Sequence, residues 1–227
     1  MSNKKRYPEC VITGCDSKTE WQLNWFIENY GQNAHQPLIV ADFGMSDQYL
    51  DYVTKHPRVN GVMNLRNTQD KGWFNKPVAI FNSPAVKTLW LDTDCEVKAN
   101  LNPLFKMIVP GKLSMVEDKP WTKRRGEIWH NSGVVGVIGR PEILHNWCNA
   151  VREKPEVGDQ EVLHSLLNPI TRISHINDLP FEWNVMRLAT DHDDYKGPIK
   201  IQHHTGAKGK EKIKGLMKIK EVIFKNG

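Results

Sequence analysis

The chain has little cysteine, no long apolar run and no glycine-rich loop, and each shortage excludes something. Its four cysteines, Cys10, Cys15, Cys95 and Cys148, include no Cys-x-x-Cys pair, which argues against a zinc knuckle. A chain of 227 residues needs no disulfide framework either. No stretch is long and apolar enough to span a bilayer, and Met1 to Pro8 is polar and basic with no hydrophobic segment behind it. A cytoplasmic protein is the expectation. Thr13 to Lys18, at the end of the first expected strand, holds only Gly14, so the glycine-rich phosphate loop of a nucleotidyltransferase or pyrophosphorylase is missing. Charge of one sign is also scarce. The net charge of +5 is carried entirely by the segment from Lys208 to Gly227, with seven lysines and two glutamates. A basic surface over the whole chain is absent, and nucleic acid is not an expected partner.

What is present is an ordinary globular composition, 25% charged and 39% hydrophobic, with no internal repeat. Strand-like segments lie at Glu9–Gly14, Leu38–Ala41, Val59–Met63 and Val86–Leu91. Between them stand helix-like segments: Ser17 to Tyr30, opened by a Ser17/Glu20 capping box; Ser46 to Lys55; and Asn75 to Asn82. This alternation predicts an α/β domain with a mostly parallel central sheet flanked by helices. The second half is more mixed. Strands are expected at Lys112–Glu117, Ser132–Ile138, Thr171–Ile176 and Ile199–His203. Helices are expected from Pro141 to Arg152 and from Asp159 to Leu167. The domain is read as 1–206 and the lysine-rich tail, 207–227, as a helix.

The apolar run Val86–Leu91 ends in Asp92-Thr93-Asp94. In open α/β sheets, ligands gather beyond the carboxyl ends of such strands. Side chains two apart on an extended chain point the same way, so Asp92 and Asp94 can offer oxygens to one Mg²⁺ or Mn²⁺. A solvated turn would carry the same pair. Asn131-Ser132-Gly133 precedes the apolar Val134–Ile138 and reads either as a turn or as amide and hydroxyl groups for sugar hydroxyls. Asp159 and Gln160 open a helix, where an acid answers the helix dipole or stands beside a reacting carbon. His203 ends a strand before His204, Thr205 and Gly206. An imidazole added to two carboxylates leans the ion toward Mn²⁺ over Mg²⁺.

Together these segments resemble the family 8 glycosyltransferases, the group of glycogenin and the bacterial lipooligosaccharide galactosyltransferases, from about Val11 to His203. Asp92-Thr93-Asp94 resembles the family's metal-binding Asp-x-Asp, followed by Ala99-Asn100-Leu101 and Leu104-Phe105. Lys76 stands at the spacing of a donor-contacting lysine. Asn131-Ser132-Gly133 resembles the sugar-contacting Asn-Ser-Gly, and Asp159-Gln160 the pair near the anomeric carbon. Leu179-Pro180-Phe181 with Asn184 matches a further signature, and His203 with Gly206 resembles the His-x-x-Gly that supplies the third metal ligand. Two departures stand out. The family's lysine three residues after that glycine is replaced by Gly209, with Lys208 and Lys210 on either side. Thr13, Cys15 and Asp16 match the nucleoside-binding segment only loosely.

The resemblance implies a GT-A fold, a UDP-sugar donor, and Mn²⁺ or Mg²⁺ held by Asp92, Asp94 and His203. It implies retaining transfer of a hexose to an acceptor hydroxyl, the acceptor being a glycan, a lipid-linked sugar or a protein. Thr13, Cys15, Asp16, Lys76, Thr93, Asn131, Ser132, Gly133, Gly206 and Lys208 or Lys210 would then contact the donor, with Asp159 and Gln160 catalytic. A sugar-nucleotide-binding module without catalysis is the alternative of a different class. The tail has its apolar residues at roughly helical spacing among lysines. It fits a helix packed on the domain or a basic amphipathic segment peripheral to the inner face of a membrane.

Overall fold

The computed structural model describes residues 7–66, 72–153, 157–192 and 194–226, with the side chains of 219–226 outside the description. β1 (Tyr7–Cys15), α1 (Gln22–Asn33), β2 (Leu38–Asp42), α2 (Asp47–Lys55), β3 (Val59–Asn64), α3 (Asn75–Phe81) and β4 (Ala85–Leu91) alternate strictly. After them come β5 (Cys95–Val97), α4 (Asn102–Met107), β6 (Leu113–Glu117), α5 (Lys119–Arg125), β7 (His130–Ile138) and α6 (Glu142–Glu153). The last third holds α7 (Asp159–Ser165), α8 (Pro169–His175), β8 (Ile176–Leu179), β9 (Val185–Met186), α9 (Arg187–Asp191), β10 (Ile201–His203) and α10 (Gly206–Asn226).

Seven strands form one sheet in the order β3-β2-β1-β4-β7-β6-β8. Only β7 runs against its neighbours; the other pairings are parallel. The chain steps outward from β1 through β2 to β3, then returns to place β4 on the other side of β1. The carboxyl ends of β1 and β4 therefore flank a reversal of strand order, where α/β sheets open a crevice. β5, β10 and β9 make a small second sheet. It pairs His203 with Cys95, which carries the histidine to the turn that follows β4.

Both faces of the large sheet are covered, so its central strands are buried nearly throughout. Leu89 and Leu91 of β4 pack into one cluster with Phe26 of α1 and Phe105 of α4, whereas Trp90 points into the other with Ile80 of α3 and Trp147 of α6. Ile213 of α10 is fully buried in the first cluster. Leu216 and Met217 pack against the same cluster, so the first half of α10 lies on the domain. No helix among the described residues is long and apolar enough to cross a membrane.

Three local expectations need correction. Ser17 and Glu20 form no capping box: α1 starts only after Trp21, which provides no side-chain cap. Asp16 Oδ1 instead accepts from the backbone N–H groups of Lys18 and Thr19 and closes the turn itself. Glu20 is drawn away to accept from the Ser46 backbone N–H at 2.7 Å. Thr171–Ile176 is not a strand. Asn168 caps the Ile170 and Thr171 N–H groups, Pro169 fits the first helical turn, and α8 forms, leaving the strand to begin at Ile176. Helix α6 begins at Glu142, with the Pro141 carbonyl accepting from Leu144 and His145.

Candidate active site

A cleft of about 400 Å³ opens over the carboxyl ends of β1, β4 and β6. Asp92 ends β4. Its backbone N–H donates to the Gly133 carbonyl at 2.9 Å, and its Oδ1 accepts from the Trp90 indole at 2.6 Å. Asp94 follows in the turn before β5. Both carboxylates approach one imidazole nitrogen: His203 Nε2 lies 3.0 Å from Asp94 Oδ1 and 3.9 Å from Asp92 Oδ2.

The other nitrogen of His203 explains that orientation. Nδ1 lies 3.1 Å from Asn131 Oδ1 and 3.1 Å from Asn184 Oδ1. Asn131 Oδ1 also accepts from the Gly133 backbone N–H and from Asn184 Nδ2, both at 2.9 Å, so the oxygen is the atom facing the ring. Nδ1 therefore carries the proton, and Nε2 turns toward the two carboxylates. Without an ion a second proton belongs at Nε2. Burial alone would lower the His203 pKa, but Asp94 and Asp92 together outweigh it and raise it. Burial likewise would raise Asp94, and the His203 interaction holds it below the usual carboxylate range. A divalent cation fits this donor set as well as that proton does: two hard carboxylates and an imidazole whose tautomer is fixed from behind. Asp94, Cys95 and His203 also lie close enough to share an ion. The Cys95 thiol, however, is buried, pushed up by that burial, and directed at the Gly133 carbonyl. The thiolate needed for ligation is thus disfavoured.

Lys76, on the first turn of α3, is buried beside this group. Its Nζ lies 3.1 Å from Asp92 and 3.0 Å from Asp159, and donates to the Ser132 hydroxyl at 3.0 Å. Burial would lower the lysine pKa, but the Asp159 and Asp92 carboxylates outweigh it and hold the ammonium charged. For Asp92 the balance tips the other way: burial raises its pKa despite Lys76.

Asp159 opens α7, and its backbone carbonyl accepts from the Trp147 indole at 2.9 Å. Gln160 is held at both ends of its amide. Oε1 accepts from Asn131 Nδ2 at 3.1 Å and from the Ser132 N–H at 3.2 Å, while Nε2 donates to Asp118 Oδ2 at 3.2 Å. Among the described residues the second N–H of Gln160 has no protein acceptor, and the side chain lines the cleft. The Asn131 amide is fully engaged with protein groups, Asp118 Oδ2 among them at 3.1 Å, so it acts as a hub for His203, Gln160 and Asn184.

Other expected residues are distributed unevenly. Cys15, Asp16, Thr93, Ser132, Gly133 and Lys210 line the cleft. Thr13 is wholly buried within β1 and does not, and Lys208 is exposed outside it. Gly206 adopts φ +72°, a left-handed turn that suits glycine at the start of α10. Gly209 lies so close to the preceding chain that a Cβ there would stand 1.9 Å from the His204 carbonyl oxygen. The lysine expected there by resemblance has no room, and Lys210 is the cation that reaches the cleft.

Asp118 and α5 were not anticipated from the sequence. A signal existed: Asp118 before Lys119-Pro120, with Gly126 seven residues after Lys119, is the pattern of a capped short helix. Asp118 Oδ1 does cap α5, accepting from the Trp121 N–H at 3.1 Å, and Gly126 ends the helix at φ +72°.

No protein-family model matches this chain, and no curated protein sequence matches it. Solved structures do. The galactosyltransferase LgtC in complex with donor and acceptor sugar analogues is 15% identical, with TM-score 0.62 over 87% of both chains. The glycosyltransferase GlyE of Streptococcus pneumoniae TIGR4 is 15% identical, with TM-score 0.66 over 87% of this chain and 54% of that one. The bifunctional glycosyltransferase WbbM gives TM-score 0.64 over 88% of this chain and 46% of that one. The fold is therefore the GT-A fold of glycosyltransferases. The chain matches nearly the whole of the LgtC structure and about half of GlyE and WbbM.

Proposed function

We propose that this protein is a metal-dependent glycosyltransferase that moves a hexose from a UDP-sugar to an acceptor hydroxyl with retention of configuration. The observation that carries the reading is the convergence of Asp92 and Asp94 on the outward nitrogen of His203, inside a cleft at the β1/β4 reversal point. Asp92, Asp94 and His203 would hold Mn²⁺ or Mg²⁺. When bound, the ion supplies Lewis-acid neutralisation of the departing diphosphate.

The chain's own groups account for the rest. Cys15 and Asp16 at the end of β1 line the side of the cleft where the nucleoside would lie, next to Thr93. Lys76 and Lys210 bring positive charge to where negative charge develops as the glycosidic bond breaks. Asp159, paired with Lys76 at 3.0 Å, and Gln160 beside it would support the cationic sugar. The network of Asp118, Asn131 and Ser132 holds Gln160 in place, so little reorganisation is required at the moment of reaction.

The test is UDP release from a panel of UDP-sugars, with Mn²⁺ and with EDTA. Metal-dependent release from one donor is the expected result and names the sugar. Tight UDP-sugar binding without release, with or without acceptors, would favour a sugar-nucleotide-binding module. Absence of UDP-sugar binding would overturn the proposal.

A further inference from the structure

Helix α5 follows β6 and stands on the opposite side of β4 from β1. On the transferase reading, on which this inference rests, a nucleotide over the β1 end leaves the β6 end for the acceptor. Pro120 and Trp121 of α5 form that wall of the cleft, and Lys119 and Lys123 line an adjoining groove of about 440 Å³.

The helix carries Lys119, Lys123, Arg124 and Arg125 and no acid within its seven residues. None of the four has a carboxylate within ion-pairing distance among the described residues. Three of the acids nearby are engaged elsewhere, while Glu117 shares a groove with Lys119 and Glu161 lines the cleft with Trp121. Asp118 accepts from Asn131 and Gln160, Glu127 lies 3.2 Å from the His164 ring, and Asp178 lies 2.6 Å from His130 Nε2 and 3.5 Å from the Arg172 guanidinium; among the described residues, Asp194 is the one carboxylate lining the groove.

The arginines are also pre-positioned. The Arg125 guanidinium lies 4.7 Å from the Trp121 ring centre and 5.8 Å from that of Trp129, and Arg124 lies 5.4 Å from Trp121. Trp129 is itself fixed by stacking on His164 at 3.6 Å. A guanidinium laid on an indole face keeps its N–H edge open, the edge that binds a carboxylate or phosphate in two-point fashion. Trp121, half-buried at the cleft wall, offers an apolar surface for a sugar ring beside those cations.

We infer that the acceptor is an acidic saccharide, one bearing a carboxylate or phosphate, whose charge is read by Lys119, Lys123, Arg124 and Arg125 while its ring lies against Trp121.

The test titrates glucuronate against glucose and mannose 6-phosphate against mannose, following tryptophan fluorescence. The protein is first saturated with UDP and Mn²⁺, so that the diphosphate site is filled. Expected is binding at least tenfold tighter for each charged member, weakened by salt and falling toward parity in Arg124→Gln/Arg125→Gln. The exposed Lys123→Gln, a single surface change, should lose part of the preference and serves if the double variant fails to fold. Equal binding of charged and neutral sugars by the wild type would overturn the inference. So would a preference unchanged in both variants, inorganic phosphate binding as tightly as mannose 6-phosphate, or capture by phosphatidylglycerol vesicles with no saccharide preference. UDP release by the wild type without acceptor reads the transferase assignment separately. Its failure beside an intact charge preference would overturn transfer and leave anion recognition by α5 standing.

Discussion

Gly133 is what makes room for His203. A Cβ at residue 133 would stand 2.1 Å from the imidazole Cε1 and 2.6 Å from Nδ1. The ring lies against the bare backbone of β7, where the Gly133 N–H and the ring share one amide oxygen of Asn131. Gly133→Ala should therefore displace the imidazole. We expect Mn²⁺ affinity to fall about 10–100-fold, as for lost support behind a ligand, with about 1–3 kcal/mol of destabilisation from overpacking. Calorimetric Mn²⁺ titration and urea unfolding read the two effects. Unchanged Mn²⁺ affinity would mean that His203 is not a ligand.

Asp92→Ala and Asp94→Ala should each abolish metal-stimulated UDP release. Asp94→Ala also removes one of the two carboxylates that raise the His203 pKa. Wild-type rates in both variants would dismiss the metal site altogether.

Lys76 is a buried cation between two carboxylates, 4% exposed at its side chain. Lys76→Met fits the space but leaves Asp92 and Asp159 facing each other. The expected cost is about 3–5 kcal/mol, the range for breaking a buried ion pair from one side. Adding Asp159→Asn should recover part of it, because one uncompensated charge is removed. Chemical denaturation of the single and double variants decides; equal stabilities for the two would contradict the coupling.

Lys210 lines the cleft and Lys208 does not. UDP affinity should therefore fall more in Lys210→Ala than in Lys208→Ala, by about tenfold if one charge-assisted phosphate contact of about 1.5 kcal/mol is lost. Gly209→Lys should not improve on wild type. It sets a side chain against the His204 carbonyl and should lower the melting temperature.

His130 supplies a pH dependence. It is buried, and the cost of burying its charged form exceeds what Asp178 at 2.6 Å returns, so its pKa lies below the ordinary imidazole value. The folded state then binds fewer protons than the unfolded one. This contribution to stability is complete above the ordinary imidazole pKa and is lost as pH falls through the lowered one. Urea midpoints at pH 7.5 and 5.0 should differ less in His130→Gln than in wild type. An equal or larger difference in the variant would show another group responsible.

Much of the fold was legible in the sequence because local physics and tertiary position agree there. Leu89, Trp90 and Leu91 are apolar in succession because the carboxyl half of β4 is central and covered on both faces, whereas Val86 and Lys87 lie at its more exposed start. The helix expected from Ser46 to Lys55 forms as α2, with the Ser46 side chain capping it by accepting from the Tyr49 N–H. The motif residues gather at one sheet edge because strand ends in a parallel sheet share a side. Where local signals misled, a partner distant in sequence had decided. Glu20 answers Ser46 rather than its own helix, and β5 and β9 are too short to be recognised except through their pairing with β10, the strand expected at Ile199–His203.

The sequence by itself determined the alternating α/β order, the pair Asp92 and Asp94 at a strand end, and the confinement of excess charge to the tail. These depend on side-chain period and on residue type, which are local. Only the tertiary structure decided that Asn131 serves His203 and Gln160, that Lys76 bridges Asp92 and Asp159, and that Lys210 reaches the cleft where residue 209 has no room for a side chain. These facts depend on distances of a few ångströms between segments far apart in the chain. Those distances are fixed by strand order and register, which no local pattern encodes.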